Sequence, residues 1–197
     1  MRIERAVVVL PVPACDLPLL DACLEQLVAA ADEASAAGVP TVLAPAWTTG
    51  APRALVELVE SWRPLVALVD GVGLEPEPVP AAHGGDPERL LAAAAGAVAS
   101  RLDRPAATVL LTTAPAVAVG SRWITEHVHH HAAGAEASTG PVRGTSGPHP
   151  VRLNLALRAD LLRRCGPAAL HGAGDRPLVH ALTPSVGLLT AGQPASS

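Results

Sequence analysis

At 197 residues, the chain has the length of one domain, and its apolar fraction of 49% is enough for a sizeable core. All 14 basic residues are arginine, and the formal net charge of -4 leaves no basic surface of the kind that binds nucleic acid. Phe and Tyr are absent, so the predicted core consists of Val, Leu and Ala.

The three cysteines, Cys15, Cys23 and Cys165, are odd in number and have no Cys-x-x-Cys spacing. This pattern favours reduced thiols and a cytoplasmic location. The apolar run at the amino end is too short for a signal core, and no segment reaches the roughly 18 apolar residues of a membrane span. We therefore expect a cytoplasmic protein without a membrane-spanning segment.

The first two thirds of the chain alternate between short apolar runs, typical of buried strands, and amphipathic stretches, typical of helices. The predicted strands are residues 6–10, 39–44, 65–70, 107–113 and 135–142. The predicted helices, with their caps, are residues 16–38, 52–62, 86–102 and 121–134, and a loop rich in Pro and Gly covers residues 71–85. Asp86 followed by Pro87 is the favoured order at a helix start.

The last third is less regular. It predicts a Gly/Pro/Ser loop at 143–150, a strand or turn at 151–158, a short helix at 160–164 ended by Gly166, a helix after Asp175 and a closing strand at 185–191. The alternation of strands and helices predicts an α/β fold with a mostly parallel central sheet and helices on both faces. We expect one domain over residues 1–191 and a disordered tail at 192–197.

Three phrases resemble the family 2 glycosyltransferases of the GT-A fold. The stretch VVVLPVPACDLPLLDACLEQL is similar to that family's first strand and helix, and SRWITEHVHHHAAGAEASTGPV is similar to the helix after its metal motif. RLNLALRADLLRRCG, followed by GAGDRPLVHAL, looks like its acceptor-side segment. The resemblance covers nearly the whole chain and implies a GT-A-like domain.

In that family, three groups of residues act on a nucleotide-diphosphate sugar. A carboxylate after the second strand holds the nucleotide, a D-x-D motif after the fourth strand binds a divalent cation on the diphosphate, and a later carboxylate is the base. The resemblance places the first acids at Ala44 and Pro45, and the D-x-D carboxylates at Ala114 and Ala116. It therefore implies a degenerate donor site with no cofactor and no divalent metal at the family's metal position.

The third motif is retained in part, because GAGDRP keeps Asp175 and Arg176 but has Gly174 where a Glu would stand. The resemblance implies that Asp175 is catalytic and that Arg176 binds a ligand. The same residues fit a helix N-cap followed by a solvated first-turn arginine. Asn154 is a further ligand-binding candidate, which either contacts an acceptor or satisfies a backbone turn.

Three histidines, His127, His130 and His131, lie close together on the predicted helix at 121–134. Imidazoles three and four residues apart can share one helix face, as a helical metal pair requires. Zinc would need a further ligand, for which the candidates are His149, His171 and His180. The alternative is an exposed polar helix face that binds no metal.

Three functions remain open from the sequence. The first is a family 2-like domain with a degenerate donor site, whose nucleotide-sugar transfer is weak, metal-independent or lost. The second is a non-catalytic binding or assembly partner that has kept the GT-A fold, since a fold does not guarantee its usual function. The third is a repurposed enzyme with a new site in the old cleft, near Asp175, His171 and the histidine helix.

Overall fold

The computed structural model describes residues 2–13, 17–83, 86–139, 154–170 and 189–190, whose strands join into one sheet. The strands are β1 (Arg5–Pro11), β2 (Thr41–Thr48), β3 (Val72–Leu74), β4 (Glu77–Val79), β5 (Thr108–Thr112), β6 (Ala137–Thr139), β7 (Leu155–Arg158) and β8 (Leu189–Thr190). The helices are α1 (Leu17–Ala36), α2 (Arg53–Val66), α3 (Pro87–Arg101), α4 (Trp123–Ala132) and α5 (Ala159–Cys165).

The strands follow the order β3-β2-β1-β5-β7-β6-β8, and β4 also pairs with β2. β1 is parallel to both of its neighbours, β2 and β5, and β2 is parallel to β3 and β4. β7 is antiparallel to β5 and β6, whereas β6 and β8 are parallel. The described sheet is therefore mostly parallel, as the sequence predicts, with one reversed strand in its interior.

Each face of the sheet has its own core, because successive side chains of a strand point to opposite faces. Val8 and Leu10 of β1 pack in a cluster with buried residues of α1, α2 and α4. Val7 and Val9 pack in a second cluster with buried residues of α3 and α5. The predicted α/β fold with helices on both faces is confirmed.

The start of α3 is also confirmed. Asp86 caps the helix, since its carboxylate accepts the backbone N–H of Glu88 at 2.9 Å, and Pro87 occupies the first helical position. α5 ends where Gly166 adopts a positive φ of 78°, a conformation that glycine adopts without steric cost.

The predicted third strand at 65–70 is wrong, because α2 continues through Pro64 to Val66. The next residues form a turn in which Leu68 is 82% exposed. The predicted loop at 71–85 instead contains β3, β4 and a 3-10 turn at Ala81–His83. A short apolar run has the same signature at a helix end as in a strand, which is why the sequence misplaced this element.

Several predictions lie wholly or partly outside the described residues. They include the loop at 143–150, the helix after Asp175, and the tail at 192–197. Of the closing strand at 185–191, the described part is β8. Within the described part of the chain, no helix has both the length and the hydropathy to cross a membrane.

Candidate functional site

The carboxyl ends of four strands meet at one edge of the sheet. β1, β2, β4 and β5 run in the same direction, so Pro11, Thr48, Val79 and Thr112 end at this edge. In open α/β sheets, ligands bind at such an edge. The backbone ties the strand ends together, because Thr49 N–H donates to the Val79 carbonyl at 2.8 Å.

The turn after β5 occupies the position of the D-x-D motif implied by the resemblance. Val117 N–H donates to the Ala114 carbonyl at 2.9 Å and closes the turn. Ala114 is half-buried and Ala116 is exposed, so both are placed at the sheet edge and neither supplies an oxygen ligand from its side chain. Just before the turn, Thr113 is buried, and its hydroxyl has no hydrogen-bond partner among the residues described.

Ala44 and Pro45 do not lie beyond strand two, as the resemblance implies, but are buried within β2. β2 extends to Thr48 because its pairing partner changes from β3, opposite Thr41–Leu43, to β4, opposite Ala46–Thr48. Pro45 falls between the two pairings, where its missing N–H costs no ladder bond. The first residues beyond β2 are Thr49 and Gly50, which bring no carboxylate to the edge.

A chain of buried polar side chains runs beneath α4. Trp123 Nε1 lies 2.7 Å from Asn154 Oδ1, which lies 3.1 Å from His127 Nε2. His127 Nδ1 lies 2.7 Å from the Ser138 hydroxyl, which in turn lies 3.2 Å from His131 Nε2. We call these five residues the α4 polar chain. It joins α4 to β6 through Ser138 and to the residue that precedes β7, Asn154.

The hydrogen-bond directions in the α4 polar chain follow from its tryptophan. An indole N–H only donates, so the Asn154 atom that faces Trp123 is the carbonyl oxygen, which also accepts from His127 Nε2–H. Neutral His127 then accepts the Ser138 proton at Nδ1, and Ser138 accepts from His131 Nε2–H. Both histidines therefore carry their proton on Nε2. His131 Nδ1 has no hydrogen-bond partner among the described residues.

Burial strongly disfavours the charged form of both histidines. It lowers the pKa of His127 from its usual 6.5 to about 4, against the opposing effect of the Asn154 hydrogen bond. Burial likewise lowers the pKa of His131 to about 4; His127 and Arg158 lower it further, and the Ala135 and Ala156 carbonyls oppose them. Both side chains are neutral at pH 7.

The histidine helix differs from one of the two interpretations drawn from the sequence. The metal interpretation stays a prediction, because its further ligand candidates, His149, His171 and His180, lie outside the described residues. The alternative of an exposed polar face is wrong for His127 and His131, whose exposed fractions are 1% and 0%. His130 is less buried and lies against His129, with ring centroids 6.4 Å apart. Over the described ranges, no group of three or more His, Cys, Asp and Glu side chains is placed to hold a metal ion.

The carbonyl oxygen of Asn154 accepts from Trp123 and His127, a role that the sequence did not predict, and its ligand-binding role stays a prediction. Asp175 and Arg176 lie outside the described residues, so their catalytic and binding roles stay predictions. Sequence reasoning missed Trp123 and Ser138. The signal for Trp123 was available, because it precedes His127 and His131 at four-residue intervals on the same helix stripe.

A cavity of about 510 Å³ lies between β4, α3 and Pro167, and its lining includes Val79 at the carboxyl end of β4. Its charged side chains already have partners. Arg101 binds both carboxylate oxygens of Glu77, and Arg163 donates to the carbonyls of Ala99, Ser100 and Leu102. These groups hold the end of α3, so the carboxyl edge is the better candidate site.

No protein-family model matches the chain, and no curated protein does. Solved structures of the same fold do. A 4-diphosphocytidyl-2C-methyl-D-erythritol synthase from Anaerococcus prevotii DSM 20548 aligns with a TM-score of 0.58 and 9% identity, over 95% of this chain and 88% of the other. A second synthase of that name aligns with a TM-score of 0.58 and 11% identity, over 98% and 91%.

A candidate nucleotide-diphospho-sugar transferase from Desulfovibrio desulfuricans G20 aligns with a TM-score of 0.50 and 13% identity, over 95% of this chain and 79% of the other. At these identities the likeness concerns the fold. It supports the GT-A-like architecture without singling out family 2 glycosyltransferases. The chain therefore has the fold of the nucleotide-diphospho-sugar transferases.

Proposed function

We propose that the protein binds a nucleotide-type ligand, such as a nucleotide-diphosphate sugar, at the carboxyl edge of its sheet without a divalent cation held by the turn after β5. The observation that carries the proposal is the turn itself. It lies where the family 2 resemblance expects the D-x-D motif, and it has Ala114 and Ala116 in place of the carboxylates. The fold shared with nucleotide-diphospho-sugar transferases supports a nucleotide as the ligand class.

The missing carboxylates bear on chemistry as well as on binding. A cation on the diphosphate neutralises its charge and makes it a better leaving group. Without that ion, arginine side chains must supply the positive charge. Sugar transfer by this domain is therefore weak, metal-independent or lost, with Asp175 as the proposed base if transfer occurs.

Thermal unfolding of metal-stripped protein against a panel of nucleotide sugars, with and without manganese, tests this function. A ligand that binds the folded state raises the unfolding midpoint according to its concentration relative to its Kd. We expect at least one nucleotide sugar to raise the midpoint equally with and without manganese. A shift that requires manganese contradicts the proposal, and no shift with any nucleotide favours the non-catalytic partner.

A blocking variant locates the site. Ala116 is exposed on the turn, so Ala116→Trp places an indole over the carboxyl edge and should abolish the shift. Ala37→Trp is the matched control, because Ala37 is exposed beyond the end of α1, where the chain leads into the amino end of β2. An unchanged shift in Ala116→Trp would place the ligand elsewhere.

A further inference from the structure

We propose that the α4 polar chain is an acid-sensitive lock, which holds α4 on β6 and β7 only while His127 and His131 are both neutral. The proposal does not depend on the ligand proposed above. It rests on the direction of four hydrogen bonds between five buried side chains. Each of these bonds uses one proton, and His131 Nδ1 has no hydrogen-bond partner among the described residues.

At its Trp123 end, the α4 polar chain cannot take up another proton. Asn154 Oδ1 already accepts from Trp123 and His127, and an amide oxygen does not take up a proton in this pH range. A proton added to His127 Nδ1 would face the Ser138 hydroxyl, which would then receive two N–H donors. The bond between His127 and Ser138 would reverse its direction, and the Ser138 hydroxyl proton would lose the acceptor that it has in the α4 polar chain.

At the other end, His131 Nδ1 can take up a proton, but its surroundings disfavour the resulting charge. A proton added to His131 Nδ1 would create a buried imidazolium with no full hydrogen bond among the described residues. The Ala135 and Ala156 carbonyls help such a charge, whereas the Arg158 guanidinium opposes it. A charge at His131 would therefore weaken the contact of α4 with the sheet.

The surrounding charges come from each element around α4. On α4 itself, His130 opposes protonation of His127. On β7, Arg158 is paired with Glu136, which precedes β6, and with Asp160 of α5. From α1, Glu33 lies 3.9 Å from Arg122, and β5 contributes the uncharged Thr112.

The pH window follows from the direction of the two pKa shifts. Both pKa values are lowered from 6.5 to about 4 in the folded protein, so the unfolded chain binds more protons in this interval. Folded-state stability is therefore fully present above about pH 6.5 and is lost as the pH falls towards 4. Each histidine lowers the folding equilibrium constant by at most about tenfold per pH unit within this window.

NMR of the wild-type imidazole nitrogens is the direct test. We expect both histidines to carry a proton on Nε2 at pH 7 and to remain neutral through pH 5.5. Hydrogen exchange of the α4 amides should accelerate as the pH falls towards 4, after correction for the intrinsic rate and relative to the amides of β1. Protonation of either histidine near pH 6.5, or an Nδ1–H tautomer of His127, would overturn the proposal.

The variant His131→Gln tests whether protonation of His131, and not its hydrogen bond to Ser138, causes the loss of stability at low pH. A glutamine amide can replace the Nε2–H donor to Ser138 but cannot take up a proton, so the variant should lose less stability between pH 7 and 4.5 than wild type. His129→Gln, at an exposed site outside the α4 polar chain, should keep the wild-type dependence. Equal pH dependence in all three proteins contradicts the lock; if His131→Gln does not fold, the wild-type NMR result decides.

Discussion

At the scale of single residues, two tryptophans make the same hydrogen bond in different surroundings. Trp123 Nε1 donates to Asn154 at 2.7 Å in the buried α4 polar chain, and Trp62 Nε1 donates to Asp21 at 2.7 Å on the surface. Water can replace the acceptor at Trp62. At Trp123 it cannot, so removing the donor leaves a buried carbonyl oxygen with one bond fewer.

We therefore expect Trp123→Phe to lower the free energy of unfolding by about 1–3 kcal/mol, including the cost of the smaller ring. Trp62→Phe is the matched control and should cost less than about 1 kcal/mol. Urea unfolding at pH 7 measures both. An equal loss in the two variants would show that burial of the α4 polar chain adds nothing to its stability.

Sequence reasoning grouped the histidines correctly but gave them the wrong surroundings. A spacing of four residues puts His127 and His131 on one face, and it says nothing about whether that face points inward. Ile124 follows Trp123 and Val128 follows His127, and both are also buried. Together with the histidines they form a helix surface that faces the core. The contact of both histidines with Ser138 depends on where β6 joins the sheet. A local sequence pattern does not predict that position.

At the scale of elements, strands with a continuous β-branched run were predictable, and strands with glycine or proline were not. β1 and β5 are buried on both faces and read as unbroken apolar runs. β3 contains Gly73 and β4 contains Pro78, which are turn signals in isolation. Both short strands form because each pairs with β2. This tertiary contact overrides the local preference of Gly73 and Pro78 for turns.

The packing of α3 against the 3-10 turn Pro167–Leu170 gives a prediction at this scale. A Cβ on Gly96 would lie 2.9 Å from Pro167 Cβ and 3.0 Å from its Cγ. The proline ring cannot rotate away, so overpacking should exceed the gain of up to about 1 kcal/mol that alanine brings to a helix. We expect Gly96→Ala to destabilise the protein by about 1–3 kcal/mol.

Gly120→Ala is the control for this substitution, because, apart from Gly120 and its two chain neighbours, no described residue has an atom within 4 Å of the position of its Cβ. It should change the free energy of unfolding by less than about 0.5 kcal/mol. Chemical denaturation of the two variants side by side measures the difference. Stabilisation by Gly96→Ala would mean that α3 and Pro167 separate easily, and that helix preference decides the outcome.

At the scale of the whole molecule, the sheet and its two helical layers were predictable because alternating strand and helix patterns leave few ways to bury both faces. The candidate site was predictable only in part. Ala114 and Ala116 do lie in the turn at the carboxyl edge, whereas Ala44 and Pro45 lie inside β2. The error arose because the length of β2 depends on its pairing with β4, which is far along the chain.

The turn after β5 allows the metal site to be rebuilt. Ala114 is half-buried and Ala116 is exposed, so the double variant Ala114→Asp, Ala116→Asp places two carboxylates at the edge where the resemblance expects them. Carboxylates bind the hard cations that neutralise a diphosphate. We expect a nucleotide sugar to stabilise this variant more strongly with manganese than without it. With manganese, a ligand concentration 100-fold above Kd should raise the free energy of unfolding by about 2.7 kcal/mol over the ligand-free protein.

The control carries the same two charges away from the edge. Ala67→Asp, Leu68→Asp changes exposed positions in the turn between α2 and β3, on the side where β3 begins. Its response to nucleotide sugar should be the same with and without manganese, as in wild type. If the control gains the same manganese dependence, the effect is nonspecific charge; if the rebuilt turn gains none, the diphosphate does not bind beside it, and the location proposed for the ligand is wrong.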